Sequence, residues 1–161
     1  AAEAALAEWD PFDNILFRCN TKGTPHIMIT PFPVEFVRVD SDTIELRMEE
    51  YDAVRSIHMD ADAQPPAEHT MFGFSRGRFE GATLVVETDH IAAGYFDPDG
   101  VPQSDEITIV ERFMPNDDYS RLDYRLTVTD PINFSETFDL TRYFEWRPGM
   151  QVHPYECLEM D

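Results

Sequence analysis

Short runs of alternating apolar and polar residues follow one another along most of the chain. In TIELRM, residues 43–48, the apolar side chains Ile44, Leu46 and Met48 fall on one face and polar side chains on the other. The run RLDYRLTVT, residues 121–129, alternates in the same way. A period of two places successive side chains on opposite faces of a strand, so each run predicts a β-strand with one buried face.

Nine such segments follow one another from residue 26 to residue 146: HIMIT, PVEFVRV, TIELRM, AVRSIHM, MFGFSRGRF, TLVVET, EITIVERFM, RLDYRLTV and TFDLTRYFEW. Turn-forming residues separate many of them, as in VDSDT, FEGAT, DPDGVPQ and PNDDY, and Gly81 is expected to take a positive φ. This spacing predicts an all-β fold. We expect a lipocalin-like antiparallel β-barrel of about eight or nine strands in up-and-down order, because closure removes exposed edges; a β-sandwich is the alternative.

The first residues carry a different pattern. AAEAALAEW is rich in helix formers and predicts a short N-terminal helix within residues 1–10, ended before Pro11. The barrel is expected to span residues 25–157, within a single domain of residues 1–161. Residues 61–70, ADAQPPAEHT, are predicted to form a loop that covers a barrel mouth.

The charge of the chain narrows the range of partners. The formal net charge is -20, with 32 acidic and 12 basic residues. Such a charge disfavours binding to nucleic acid and to anionic lipid surfaces, and no apolar run is long enough to predict insertion into a membrane. The chain starts with alanine, so we expect an export signal to have been removed and the protein to be periplasmic or secreted.

Two cysteines, Cys19 and Cys157, lie near opposite ends of the chain. They are either two buried thiols or a disulfide that ties the ends of the domain together in an oxidising compartment, and their placement favours the disulfide. They lack the CxxC spacing of a redox motif.

The stretch VRSIHMDAD, residues 54–62, places polar side chains within a predicted strand. Arg55 shares a face with Ile57, so we predict that it points inward, where a guanidinium needs a carboxylate partner. Glu111, the polar member of an apolar row in EITIVERF, and Glu87 in TLVVET are the candidate partners. A buried Arg–Glu pair is either a structural ion pair or a site that anchors a ligand or moves a proton.

His58 and Asp60 lie on the opposite face of the same strand. They are either a solvated polar face or an acid–base pair in which Asp60 orients the imidazole. The histidines show no HxH or HExxH spacing, and the DPDG turn lacks the spacing of an EF-hand. GxSxG and GxGxxG motifs are also absent, so no metal or cofactor is predicted.

Three functions remain open. The leading hypothesis is a protein that binds a small, mostly apolar molecule in the barrel interior. The residues assigned to that ligand are Arg55, Phe74, Glu87, Phe113 and Tyr124. The second hypothesis is a cofactor-free acid–base enzyme, such as an isomerase, lyase or cyclase. The residues assigned to that chemistry are Arg55, His58, Asp60 and Glu111. The third is a structural domain with a filled interior.

Several short motifs also resemble a known pattern. They are Arg55-x-Ile57-x-Met59-Asp60, Gly73-x-Ser75-x-Gly77-x-Phe79-Glu80-Gly81-x-Thr83-Leu84-Val85-Val86-x-Thr88, Pro102-x-Ser104, Glu111-Arg112 and Asp130-Pro131. Together they are similar to a widespread, largely uncharacterised family of secreted bacterial domains with the pattern R-x-I-x-M-D-G-R and G-H-S-x-G-x-W-E-G-D-T-L-V-V. The resemblance extends from about Trp9 to Cys157 and implies secretion and a β-rich, calycin-like fold.

The chain departs from that pattern at several positions. Phe74 and Gln103 stand where the family has histidine, Phe79 where it has tryptophan, and Ala82 where it has aspartate. Ala61-Asp62 replaces the expected Gly-Arg. If the histidines of relatives serve catalysis, this chain lacks them, and the resemblance then favours binding without turnover or a different chemistry.

Overall fold

A computed structural model describes residues 2–10, 12, 14 and 19–157, and the account that follows concerns those residues. The protein is mostly β, with one short helix, α1, at Ala2–Glu8. This helix confirms the prediction for residues 1–10. Eight strands form one sheet that curls into a half-barrel.

The strands of this sheet coincide with eight of the nine predicted segments. They are β1 (Val34–Arg38), β2 (Thr43–Met48), β3 (Val54–His58), β4 (Phe74–Glu80), β5 (Thr83–Asp89), β8 (Thr108–Pro115), β9 (Arg121–Thr129) and β10 (Phe138–Glu145), in the order β1-β2-β3-β4-β5-β8-β9-β10. Between β5 and β8, the two short strands β6 (Gly94–Tyr95) and β7 (Pro102–Gln103) form a separate hairpin around the predicted DPDG turn.

The prediction of a strand for HIMIT is wrong, because His26–Ile29 is a turn of 3-10 helix. The segment lies between Pro25 and Pro31, and neither proline has the amide N–H that a central strand needs for its ladder. The turn-forming prediction for Gly81 is confirmed, since this residue joins β4 to β5 with a φ of +63°.

The junction between β3 and β4 is the only parallel pairing within the main sheet as described, and all its other neighbouring strands are antiparallel. We call it the parallel seam. It has two register pairs, Ile57 with Ser75 and His58 with Arg76. Residues 59–73, which include the predicted loop 61–70, return the chain to the start of β4. The predicted up-and-down order is therefore wrong at this point, because alternation specifies the face of a side chain and not the direction of a strand.

The half-barrel is not closed, since β1 and β10 lie at the two ends of the strand order. Its core includes the alternating residues used for the strand predictions, among them Ile44, Leu46, Leu126 and Val128. The inner face also contains several buried polar side chains, which form the first part of the candidate site.

The predicted disulfide is confirmed between Cys19 and Cys157, whose Cα atoms lie 5.8 Å apart. It ties the segment that precedes β1 to the segment that follows β10. Two hydrogen bonds hold the C-terminal segment nearby: the backbone N–H of Tyr155 donates to Asp52 at 3.2 Å and that of His153 to Glu49 at 3.1 Å. No helix in the described part of the chain is long and apolar enough to cross a membrane.

Candidate functional site

Arg55 points inward, as predicted, and forms an ion pair with Glu111 inside the half-barrel. Both residues are closed to solvent, at 1% and 0% exposure. The Nη1 atom of Arg55 donates to Glu111 Oε1 at 3.0 Å, and Nη2 donates to Oε2. The two parallel hydrogen bonds make this a bidentate pair, the strongest arrangement between a guanidinium and a carboxylate.

The remaining partners of this pair come from three further strands. Arg55 on β3 also donates to Ser75 on β4, at 2.9 Å, and to Thr88 on β5, at 2.6 Å. The Tyr124 hydroxyl on β9 donates to Glu111 Oε1 at 2.8 Å. The network crosses the parallel seam, so Arg55 connects β3 to the strands beyond the seam through side chains as well as through the backbone ladder.

The charges of the network stabilise one another. Burial acts to lower the pKa of Arg55, but the carboxylate of Glu111 opposes this effect and the pKa is raised. Burial, together with the charge of Glu111, raises the pKa of Tyr124 well above its usual value. At neutral pH the site is therefore a guanidinium, a carboxylate and a neutral phenol, and each is hydrogen-bonded to another member of the network.

This arrangement fits the structural alternative for the Arg–Glu pair better than a ligand anchor. Both carboxylate oxygens are occupied and both side chains are shielded from solvent. Phe113, at 2% exposure, packs beside Tyr124 with ring centroids 4.9 Å apart and belongs to the same filled interior.

The expectation that Glu87 is a second candidate partner of Arg55 is wrong. Glu87 is exposed on the opposite face of β5, where it accepts a hydrogen bond from Arg78 at 2.6 Å. The sequence pattern was ambiguous here because both faces of β5 are buried in part: Val85 and Val86 are adjacent, and each is 0% exposed.

His58 and Asp60 do not join this network. The imidazole of His58 stacks on Phe74 with ring centroids 4.6 Å apart, and the guanidinium of Arg76 lies 5.1 Å from the centre of the same phenyl ring. The exposed Asp60 accepts a hydrogen bond from the backbone N–H of Asp62 at 2.9 Å. Phe74 therefore packs against polar side chains at the start of β4, and His58 and Asp60 share no site with Arg55.

A second location, which the sequence hypotheses did not include, has the shape of a binding site. A cavity of about 210 Å³ lies beside the β6–β7 hairpin. Its apolar walls include Trp9, Met71 and Tyr95, and its polar walls include His26, Asp97 and Gln103. We call this space the lateral cavity.

The aromatic wall of the lateral cavity is built by close packing against a glycine. The rings of Trp9 and Tyr95 meet edge to face, with centroids 6.2 Å apart. Gly100 has a φ of +86°, and a Cβ atom there would lie 2.2 Å from Cδ2 of the indole. Only a residue without a side chain allows the backbone to approach Trp9 this closely.

Unpartnered polar groups occur at the same cavity. Gln103 is 6% exposed; its Nε2 donates to the carbonyl of Ala92 at 3.1 Å, but its Oε1 has no hydrogen-bond partner among the described residues. The indole Nε1 of Trp9 is also buried, and it has no hydrogen-bond partner within the part of the chain that the structure describes. Buried polar atoms are nearly always hydrogen-bonded, so both side chains keep unused hydrogen-bonding capacity next to the cavity that they line.

His26 contributes a neutral imidazole to the lateral cavity. It is 7% exposed, and burial, followed by the nearby charge of Lys22, lowers its pKa from 6.5 to about 4. Lys22 is itself buried and pairs with Glu50, with 2.5 Å between Nζ and Oε1. Lys22 therefore already has a carboxylate partner, and at neutral pH the imidazole of His26 can both donate and accept a hydrogen bond.

Sequence reasoning found the Arg55–Glu111 pair from alternation but had no comparable signal for the lateral cavity. The lining of this cavity comes from irregular or very short elements, in which periodicity gives no signal; examples are Trp9, His26 and Gln103.

The pKa of His26 predicts a stability that depends on pH. Because its pKa in the folded protein lies below that of the unfolded chain, the unfolded state binds the proton first. We expect the free energy of unfolding to fall as the pH decreases from about 6.5 to about 4, and to fall less in His26→Gln. Urea unfolding at several pH values measures this, with exposed His153→Gln as the control; identical slopes in wild type and His26→Gln would contradict it.

Comparisons with known proteins gave no relative of this chain. No protein-family model matches it, and no match was found among curated proteins or solved structures.

Proposed function

We propose that the protein binds a small, mostly apolar molecule in the lateral cavity. The observation that carries this proposal is one cavity that has apolar and aromatic walls and three polar side chains, His26, Asp97 and Gln103, in its lining. Ligand sites typically combine an apolar lining with a few polar groups that fix orientation. A cavity of about 150 Å³ accommodates benzene in another protein, so about 210 Å³ suits a ligand of one or two rings.

This proposal places the ligand beside the half-barrel and not inside it. The interior position would require Arg55 or Glu111, which are both closed to solvent, to exchange hydrogen bonds that they already make for new ones. The lateral cavity needs no such exchange.

The acid–base enzyme has less support. Its four assigned residues occupy two separate places: Arg55 and Glu111 lie in the closed interior, whereas His58 and Asp60 lie near the surface. A general base must reach the proton that it removes, and proton transfer through this set would require all four groups to meet one substrate.

We also propose that the protein is exported, that its fold is lipocalin-like and that it does not bind nucleic acid. The Cys19–Cys157 disulfide supports export, because disulfides persist in oxidising compartments. The mostly sequential order of strands supports a relative of the up-and-down barrels over a sandwich. The resemblance to secreted bacterial domains agrees with export and with a barrel-like fold. The net charge of -20 opposes contact with the phosphate backbones of nucleic acid.

Blocking the lateral cavity tests the proposal. Gly94 lines it, a Cβ atom there would meet nothing within 4 Å, and its φ is outside the positive range, so Gly94→Leu is expected to fold and to occupy part of the space. We expect native mass spectrometry of protein purified from its own host to detect a bound small molecule in the wild type and much less in Gly94→Leu.

Ala82→Leu, which adds a leucine at the exposed β4–β5 turn, is the matched control and should retain the ligand. An equal amount of ligand in wild type and Gly94→Leu, or no ligand in any of the three proteins, would refute binding at this cavity.

A further inference from the structure

We propose that the molecule bound in the lateral cavity is an organic cation: an apolar, ring-sized body that carries a protonated amine. This inference rests on the proposed function and narrows it to one chemical class. It is drawn from the charge of the cavity lining, from its aromatic surfaces and from a carboxylate oxygen of Asp97 that makes no hydrogen bond to any described residue.

The charges at the cavity favour a positive ligand. Asp97 is the single acidic residue among the described residues that line it, and none of those residues is lysine or arginine. The nearby Lys22 is engaged by Glu50. The surrounding protein has a net charge of -20, which raises the local concentration of cations and repels anions.

The acceptors at the cavity match the N–H groups of an ammonium. Asp97 Oδ1 accepts from the backbone N–H groups of Asp99 and Val101 at 3.0 and 3.1 Å, whereas Oδ2 makes no hydrogen bond to any described residue. A protonated amine offers only donors, so it can satisfy the second carboxylate oxygen of Asp97 in a way that a carboxylate ligand cannot.

The aromatic wall adds a second, independent reason. Trp9 and Tyr95 meet at an interplanar angle of 64°, so the pair presents two differently oriented aromatic surfaces at one side of the cavity. Aromatic faces attract cations through their negative quadrupole, and tryptophan does so most strongly. A carboxylate beside such rings is the arrangement expected for recognition of an ammonium group.

Three probes with the same ring separate charge from hydrophobic fit: benzylammonium, benzyl alcohol and benzoate. Isothermal titration calorimetry at pH 7 and low salt measures their affinities for the intact protein. We expect benzylammonium to bind roughly tenfold more tightly than benzyl alcohol, and benzoate to bind most weakly. Added salt should weaken binding of benzylammonium more than that of the alcohol.

Asp97→Asn tests the assigned carboxylate while leaving an Oδ1 atom for the turn. It should lower the affinity for benzylammonium by roughly tenfold and leave that for benzyl alcohol unchanged. Asp105→Asn removes the same charge at an exposed position outside the cavity lining and should change neither.

The outcomes distinguish this inference from the proposed function. Equal affinities for benzylammonium and benzyl alcohol, or no loss in Asp97→Asn, would overturn the cation while leaving a binding cavity in place. Absence of binding for all three probes, together with no ligand in the protein from its host, would overturn both.

Discussion

Glu111→Gln is expected to lower the free energy of unfolding by about 3–5 kcal/mol, because it leaves the guanidinium of Arg55 buried without its counter-charge. The replacement keeps the size and shape of the side chain, so the loss reports charge and hydrogen bonding and not a new cavity. Urea unfolding, followed by circular dichroism, measures it.

Glu87→Gln is the matched control. It removes a carboxylate from an exposed pair with Arg78 on the same sheet, where solvent screens the charges and we expect a much smaller loss than in Glu111→Gln. Similar losses of unfolding free energy in Glu111→Gln and Glu87→Gln would contradict the prediction, because the interior pair would then contribute no more to stability than a surface pair.

A double replacement separates the pair from its two charges. Arg55→Met with Glu111→Leu removes both ions and fills much of the space with apolar atoms, a change that often costs little in other proteins. We expect this variant to be more stable than Glu111→Gln, although Ser75, Thr88 and Tyr124 each lose a partner. A double variant that is less stable than the single one would mean that the hydroxyl groups contribute more than the ion pair.

Removal of the disulfide is the second prediction with a large effect. Cys19 and Cys157 are separated by 138 residues, and closing a loop of that length restricts the unfolded chain strongly. In the chain-entropy account, Cys19→Ser with Cys157→Ser lowers the free energy of unfolding by about 5 kcal/mol. Urea unfolding of the double variant, compared with oxidised wild type, measures the loss.

Non-covalent contacts near the disulfide also hold the C-terminal segment in place. The C-terminal segment is held by the hydrogen bonds of His153 and Tyr155 and by the ring contact between Tyr51 and Tyr155, with centroids 4.7 Å apart. A loss below about 1 kcal/mol would mean that these contacts keep the ends together without the covalent link, and that the unfolded chain is already compact. Reduced wild type is the control, and it should unfold like the double variant.

Alternation along the sequence was enough to find most of the sheet and the inward direction of Arg55. Leu46 and Leu126 pack in the core because each lies on the apolar face of a run with a strict period of two. The same information could not place Glu87, because Val85 and Val86 are both buried and β5 therefore has no single apolar face.

Other features depend on long-range geometry that a local pattern does not contain. The parallel direction of β4 relative to β3 follows from the path of residues 59–73, not from the composition of either strand. The lateral cavity brings together Trp9, His26 and Gln103, which are far apart in the sequence and lie outside long regular elements. Their proximity is a property of the folded chain.

The parallel seam has a consequence for how the protein opens. Local opening proceeds through cooperative units, and a junction with only two register pairs is a natural boundary between them, with β1–β3 on one side and β4–β10 on the other. Separation at that boundary would uncover the edges of β3 and β4, which can template pairing between molecules. Arg55 donates hydrogen bonds across the boundary to Ser75, Thr88 and Glu111. Because these bonds must break before the two units separate, the network is expected to lower the population of the partly opened, aggregation-prone state.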